Sequence, residues 1–260
     1  MATYLDVFRY RELFGNLWRR DLQSKYKGSA LGIVWVLIPP LVLMGVYLLV
    51  FHYLWRTTGA IHHYTLYLLA GLASWVFFST TIQAGSRAML QAAPLIRKTR
   101  FPRQLTAFAV VGTNLVTYAV MLAILLVACF ATIPAARSRE WIALPLALLL
   151  VGLATGLALA LACANVVFRD VEHLVGALLL PWFFLTPILY SFSQFHHHTL
   201  TQVIRYANPV TPPIEAIRAP LLGSMPRVGD VVYLAVACVV SLALGAWVFT
   251  RADDRIAVEL

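Results

Sequence analysis

The amino-acid sequence predicts an all-α integral membrane protein with six transmembrane helices per protomer. Of the 260 residues 61% are hydrophobic and 12% are charged, whereas an ordinary soluble domain has about 25% charged residues. Long uncharged runs recur along the chain, and the basic residues cluster at their edges. A surface with so few charges would be largely apolar, which lipid tolerates and water does not.

The N-terminal segment, residues 1–27, is predicted to be a cytoplasmic amphipathic helix in the membrane interface. Between residues 4 and 26, aromatic residues and leucines recur every three or four positions, and basic residues occupy the other side. Helices with such faces lie at the headgroups rather than crossing the bilayer. Charges of both signs precede the first apolar run, so we expect no cleaved signal peptide.

Residues 28–260 are predicted to form the transmembrane domain. A spanning helix needs about 20 apolar residues. The six predicted spans cover residues 29–54, 65–86, 105–133, 141–167, 174–195 and 231–250. Pro39 and Pro40 remove two backbone donors from the first span and predict a kink or break there. Gly152 and Gly156 form a G-x-x-x-G pattern in the fourth span, which favours close helix packing.

The end of the fifth span and the segment after it are unusual in composition. Pro181 and Pro187 divide the fifth apolar run. Residues 196–230 are mixed in composition, partly polar, proline-rich and only moderately apolar; the segment is too long for a turn and too interrupted for another span. We expect short helices there, at or dipping into the outer interface. A solvated surface loop is the alternative, although residues 203–222 are rather apolar for one.

The distribution of basic residues predicts the orientation in the membrane. With six spans, both termini lie on one side, and the segments on that side carry 14 of the 20 Lys and Arg residues. Cytoplasmic loops are enriched in these residues. Both termini are therefore predicted to be cytoplasmic. The same rule explains the net charge of +9 without a nucleic-acid partner.

The sequence contains no energy source for transport. The three lysines, Lys25, Lys27 and Lys98, do not follow a glycine, so no P-loop can be formed. All eleven acidic residues lie outside the predicted spans or at their ends, which disfavours coupling to an ion gradient. If transport is driven, the energy should come from a separate ATPase.

A membrane enzyme and a metal site are the other classes to weigh. Enzymes acting at the interface need converging carboxylates, histidines or a metal, and near an inner span end the sequence offers only Asp170 with Glu172. Histidines at 62–63 and 196–198 could meet, but adjacent residues point apart and no carboxylate accompanies them. We predict no metal site and no catalytic residue. The three isolated cysteines are interpreted as small buried apolar residues.

Four blocks of sequence resemble a known family of permeases. They are LFGNLWRRDLQSKYKGSALGIVWVLIPPL at 13–41, RKTRFPRQL at 97–105, NVVFRDVEHLVGALLLPWFFLTPILYS at 165–191 and YANPVTPPIEAIRAPLLG at 206–223. Together and in this order they are similar to the ABC-2-type permeases of polysaccharide exporters. The closest resemblance is to the subunits that export lipid-linked O-antigen or capsular polysaccharide, with teichoic acid exporters as near relatives.

The resemblance implies a homodimer that carries two copies of a separate ATP-binding subunit. ATP and magnesium would then bind to the partner, and this chain would need no cofactor. The family passes its polymer between protomers, along the first and fifth spans, where aromatic rings pack on sugars. The positions that would line this channel are Trp35, Tyr47, Trp182, Phe183, Phe184 and Tyr190. Ordinary lipid-facing aromatic residues are the alternative interpretation of each.

The resemblance also implies contacts with the ATPase and two gates. The predicted coupling residues are Arg97, Lys98, Arg100, Phe101, Pro102 and Arg103, with Arg169 and Asp170 as a second contact. Simple anchoring by basic residues would explain the charges of this patch, but not Phe101 and Pro102 among them. The predicted inner gate and interfacial helix contain Trp18, Arg19, Arg20 and Tyr26, and the outer, re-entrant gate turns at Asn208 and Pro209.

The function that the sequence predicts is export of a lipid-linked polysaccharide across a bacterial inner membrane, driven by a partner ATPase. A teichoic acid or a small amphiphile such as a drug is an alternative substrate of the same kind of permease. A passive channel or a membrane enzyme without an ATPase partner is the alternative from another class.

Overall fold

The computed structural model describes residues 10–26, 38–50, 63–98, 101–192 and 198–259, and every extended regular element in these ranges is helical. We number the helices in chain order: α1 Arg11–Tyr26, α2 Ile38–Tyr47, α3 Tyr64–Gln91, α4 Ala93–Ile96, α5 Gln104–Thr132, α6 Ala143–Val167, α7 Val171–Leu185, α8 His198–Ala207, α9 Thr211–Leu221 and α10 Val228–Glu259. A 3-10 turn, Glu140–Ile142, precedes α6.

Four of the described helical segments are long and apolar enough to cross a membrane. They are Tyr64–Gln91, Gln104–Thr132, Glu140–Val167 and Val228–Ala252. They coincide, to within a few residues, with the predicted spans at 65–86, 105–133, 141–167 and 231–250. α10 continues as a helix through the segment expected to be a charged tail.

The fifth predicted span corresponds to a shorter helix, and the first is described only in part. An apolar helical stretch, Leu41–Val50, lies within the first, and residues 28–37 and 51–62 are outside the described ranges. The fifth, predicted as one run at 174–195, is wrong in its extent because α7 ends at Leu185. Thr186 takes an extended backbone before Pro187, and a residue before proline is disfavoured in helical conformation.

The core of the bundle is α3, which packs against α5, α6, α7 and α9. Of the residues in its most apolar segment, 72% are buried, compared with 28% of the residues in the corresponding segments of α5 and α10. Its buried positions include polar Ser74, Thr81 and Ser86. We call the two ends of the bundle the Tyr64 end and the Gln91 end, after the first and last residues of α3.

Small residues bring α6 and α10 into close contact. A Cβ on Gly156 would collide with the backbone at Ser241, and one on Gly152 would collide with the sulfur of Cys238. Gly245 faces the backbone of Gly156 in the same way. Close approach through small residues is a common means of helix association in membranes, where the hydrophobic effect gives no drive. The G-x-x-x-G pattern therefore serves packing, as expected.

Helix α1 lies against α5 and has two distinct faces. Leu17 is buried at 5% exposure, and the Trp18 ring stacks on Phe14 with centroids 6.4 Å apart. Arg19 and Arg20 are exposed. Apolar residues thus pack on the bundle while the basic residues face outward, which is the pattern of an amphipathic helix.

Candidate functional site

Aromatic side chains from α2, α3 and α7 meet in one cluster, which we call the aromatic cluster. Its members are Tyr47, Trp75, Phe78, Trp182, Phe183 and Phe184. The Phe183 ring stacks on Tyr47 with centroids 5.7 Å apart and meets Trp75 edge-on at 5.7 Å. Trp182 meets Phe78 edge-on at 5.5 Å. Offset and edge-on pairs add to the stabilisation from burial.

The predicted channel residues differ in their exposure. Phe183 is buried at 6%, whereas Phe184 is 54% exposed. Tyr190 is half-buried, and its hydroxyl lies 3.4 Å from the carbonyl oxygens of Phe184 and Leu185. Phe183 therefore packs in the core, and Phe184 and Tyr190 remain accessible. Trp35 lies outside the described residues.

Two members of the cluster, Trp75 and Phe78, were not predicted. They lie on the inward face of α3, at 6% and 1% exposure. The sequence Trp-Val-Phe-Phe at 75–78 contains one Trp and two Phe, as does Trp-Phe-Phe at 182–184. That match could have pointed to contact between the second and fifth spans, but the sequence alone does not show which faces meet.

A hydrogen bond joins the aromatic cluster to the turn between α8 and α9. The indole Nε1 of Trp182 donates to Oδ1 of Asn208 over 2.8 Å. The Asn208 amide also donates to the hydroxyl of Thr186 over 2.9 Å, and its Oδ1 accepts from the backbone N–H of Val210 over 3.0 Å. Trp182, predicted in the channel, and Asn208, predicted in the gate, are thus in direct contact. Pro209 lies in the turn beside them, half-buried.

The turn at residues 186–191 is attached to α3 by tyrosines at the Tyr64 end. The hydroxyl of Tyr64 donates to the carbonyl of Leu189 over 3.0 Å, and that of Tyr67 to the carbonyl of Tyr190 over 2.8 Å. These bonds satisfy carbonyl groups that lie outside any helix, and groups buried in this way rarely go unpaired. The end of α7 therefore has a defined position on α3.

Arg218 on α9 completes this attachment from the other side. Its Nη1 donates to the carbonyl of Pro187 over 2.9 Å and to Glu215 Oε1 over 2.6 Å. The guanidinium carbon lies 3.7 Å from the centroid of the Tyr67 ring. The side chain is 2% exposed, and it fits because Gly71 leaves room that a Cβ would fill. The sequence shows Arg218 as a basic residue in an apolar stretch, which could have marked it as buried. Its contacts with Pro187, Glu215 and Tyr67 were not predicted.

A second buried arginine joins α8 to the start of α10. Arg205 donates from Nε to Asp230 Oδ1 over 2.8 Å, and Nη2 pairs with Oδ2. The two residues are 5% and 1% exposed. Burial lowers the pKa of Arg205, but the hydrogen bonds and the charge of Asp230 together outweigh it and leave the pKa raised. Both ions are paired, as buried charges must be.

At the Gln91 end a polar junction connects α3, α6 and α7. Asn165, fully buried, donates to the carbonyl of Ser86 over 2.9 Å and accepts from the backbone N–H of Glu172 over 3.1 Å. Glu172 lies 3.6 Å from Nε of Arg87. Arg169 and Asp170, predicted as coupling residues, are exposed in the turn just before α7. The sequence identified this turn, but not the Asn165 junction under it.

The predicted coupling patch at 97–103 has exposed charges and a partly buried centre. Arg97 and Lys98 are exposed, while Phe101, Pro102 and Arg103 are half-buried. Phe101 packs against a cluster that contains Leu17 of α1 and Met89 of α3. Arg100 lies outside the described residues, as does the side chain of Tyr26. The patch therefore abuts the interfacial helix.

Long apolar helices, buried paired charges and a small-residue helix contact define this chain as a multi-pass membrane protein. The chain belongs to the ABC-2 type transporter family, whose model matches residues 12–222. That range includes the aromatic cluster, the two short helices α8 and α9, and both ends of α7.

The chain is also similar to individual export permeases. It is 34% identical over 208 residues to the O-antigen export system permease protein RfbA of Myxococcus xanthus, covering 79% of this chain and 78% of that protein. Two proteins of the same description from Klebsiella pneumoniae are 28% identical over 193 residues and 27% identical over 244 residues. The longer match covers 92% of this chain and 91% of that protein.

Proposed function

We propose that this chain is the permease subunit of an ATP-driven exporter that moves a lipid-linked polysaccharide, of O-antigen or capsule type, across the bacterial inner membrane. The observation that supports this proposal most strongly is the similarity of the chain to O-antigen export permeases over 73% to 91% of their length. The aromatic cluster beside α8 and α9 supports the same function, since polymer export needs a path and a closure.

The proposed active form is a homodimer of six-span protomers. In each protomer, α2 and α7 would belong to the first and fifth spans. Both helices present apolar side chains away from their own bundle: Val42 and Val46 on α2, and Leu178, Leu180 and Leu185 on α7, are 51% to 67% exposed. A second protomer opposite these faces would enclose a path between the two copies.

The aromatic residues would contact the polymer as it passes. Sugar rings have apolar C–H faces that pack on aromatic side chains. Phe184 and Tyr190 are the described residues best placed for this role, because they are accessible at the end of α7. Trp182 and Phe183 would act by holding that end in position through their packing on α3.

Helices α8 and α9 would form the outer gate. Asn208 in the turn between them is hydrogen-bonded to Trp182 and Thr186. A displacement of α7 would therefore move the turn as well. Both helices are short, at 10 and 11 residues, as expected of elements that enter the interface without crossing the membrane. Under this proposal both chain termini are cytoplasmic.

ATP hydrolysis would take place in a separate subunit bound at the Gln91 end of the bundle. That subunit would also hold the magnesium ion. Two copies would serve the dimer. The proposed contact consists of the 97–103 patch together with Arg169 and Asp170. The Asn165–Glu172 junction lies directly beneath these two residues, so it would pass a displacement of the turn to α7.

Co-purification with an ATP-binding subunit encoded beside this chain tests the proposal. The expected result is a stable complex with equal numbers of the two subunits. Cells that lack the permease should accumulate the polymer inside. Returning the intact gene should restore the polymer to the cell surface. Failure to form a complex, together with normal surface polymer in its absence, would contradict the proposal.

A further inference from the structure

A groove runs along the outside of α6 and α10, and it shares no described lining residue with the aromatic cluster. Its volume is about 430 Å³, within the range of about 300–1,000 Å³ typical of small-molecule sites. It is lined by Cys163, Ala164, Val167, Phe168, Trp247, Val248, Arg251 and Ala252. Cys163 is buried, whereas Phe168 and Trp247 are 67% and 52% exposed. The groove is therefore apolar inside and open between two aromatic rings.

Arg251 is the one charged residue of this lining. Its guanidinium carbon lies 4.5 Å from the centroid of the Trp247 ring. This cation–π contact orients the planar group beside the groove. A guanidinium fork matches the oxygens of a phosphate group and binds them through two parallel hydrogen bonds. The site thus combines an apolar slot with a guanidinium group of the kind that binds phosphate.

The groove lies at the Gln91 end, because Asn165, next to its lining, donates to Ser86 near the end of α3. This is the end predicted to face the cytoplasm. On α10 the exposed side chains above the groove, Val236, Val240 and Leu244, continue an apolar surface. Anionic headgroups of the inner leaflet bind basic pockets between transmembrane helices on this side.

We propose that the groove binds one anionic glycerophospholipid per protomer, with an acyl chain along Cys163 and Val248 and the phosphate on Arg251. The lipid would rest against Phe168, which begins the exposed turn leading into α7. A soluble protein partner fits less well, because the eight lining residues offer a single charge, and beyond it only the Cys163 thiol and the Trp247 indole carry polar atoms. The inference holds whether or not the transported substrate is a polysaccharide.

Native mass spectrometry of the full-length permease tests the lipid site. The probes are dioleoyl phosphatidylglycerol and dioleoyl phosphatidylcholine, which share acyl chains and differ in headgroup charge. Both headgroups contain a phosphate, but the choline ammonium of phosphatidylcholine cancels its negative charge and is repelled by Arg251. Wild-type protein is therefore expected to retain phosphatidylglycerol at least about fivefold more than phosphatidylcholine. Arg251→Gln is expected to abolish that preference.

Arg137→Gln is the matched control, since Arg137 also lies over an aromatic ring, 5.4 Å from the centroid of Phe130, and does not line the groove. This variant should keep the preference. Equal retention of both lipids by wild-type protein would overturn the proposal, as would a preference that survives Arg251→Gln.

Ala164→Phe tests the apolar slot itself and should lower retention of both lipids. If it instead changes the oligomeric mass and leaves lipid retention unaltered, a second copy of the chain occupies the groove and the proposal is wrong. Displacement of phosphatidylglycerol by an equal concentration of farnesyl diphosphate would assign the groove to an isoprenoid carrier, which also contradicts it. The Arg251→Gln result remains decisive if Ala164→Phe does not fold.

Discussion

At the scale of single residues, the contact between Trp182 and Asn208 connects the two parts of the proposed transport path. Asn208 is 9% exposed, and its side chain has four partners: the indole of Trp182, the Thr186 hydroxyl, the backbone N–H of Val210 and the carbonyl of Leu185. A neutral hydrogen bond contributes about 0.5–1.5 kcal/mol. That is small for the stability of the whole bundle but large for a balance between an open and a closed gate.

Trp182→Phe removes the indole donor and keeps a ring against Phe78. About 1 kcal/mol corresponds to roughly a fivefold change in a two-state population. We expect surface polymer to fall severalfold while the amount of permease in the membrane is unchanged. Quantitative detection of surface polymer, normalised to permease, measures this.

Trp141→Phe is the control for that experiment, because Trp141 is 63% exposed and donates only to the nearby carbonyl of Ser138. It should export normally. Normal export by Trp182→Phe, or an equal loss in both variants, would remove the proposed link between the cluster and the gate.

At the scale of elements, the fold depends on where helices touch closely and where they end. α6 and α10 meet through Gly152, Gly156 and Gly245. α7 ends before Pro187, which turns the chain back so that the carbonyls of Pro187, Leu189 and Tyr190 can accept hydrogen bonds from Arg218 and α3. The first feature depends on three glycines and the second on a single proline.

Gly156→Ala should destabilise the contact between α6 and α10, because its Cβ would overlap the backbone at Ser241. Overpacking of this kind costs about 1–3 kcal/mol. Gly15→Ala is the control, since nothing lies within 4 Å of the added atom. Thermal unfolding followed by a thiol-reactive dye reports both, because Cys129, Cys163 and Cys238 are buried. Equal midpoints for the two variants would contradict the packing described.

Much of this level of organisation could be predicted from the sequence. Four apolar runs coincide to within a few residues with long apolar helices of the structure, since run length and charge placement mark where such helices begin and end. The end of α7 was missed because apolar residues continue past Pro187 through Ile188 and Leu189, so hydropathy does not mark the turn. The contacts of Arg218 with Tyr67 were missed for another reason: they join residues about 150 positions apart, and no local pattern encodes such a pairing.

At the scale of the whole molecule, α3 holds both ends of α7. Tyr64 and Tyr67 attach the turn that follows α7, and Ser86 and Arg87 attach its start through Asn165 and Glu172. Between these attachments Phe183 is the one buried residue of α7. A helix that is attached at both ends and exposed along its length can transmit a displacement from one end to the other.

Phe101→Asp tests the coupling patch at this scale. It places a charge in a half-buried position against the apolar cluster that contains Leu17 and Met89, and burial of an unpaired charge is unfavourable. We expect ATP hydrolysis to continue without export, while the permease dimer stays intact. Phe101→Ala, which adds no charge, should give a smaller loss. Unchanged export with Phe101→Asp would exclude this patch from coupling.

We propose above that this chain moves a lipid-linked polysaccharide when its partner hydrolyses ATP. Proteoliposomes that contain the permease and the ATP-binding subunit, with lipid-linked polysaccharide on one face, test it directly. We expect polymer to become accessible to an enzyme on the opposite face with ATP and magnesium, and not with a non-hydrolysable analogue. Polymer transfer at the same rate without ATP, or none under any condition with an active ATPase, would contradict it.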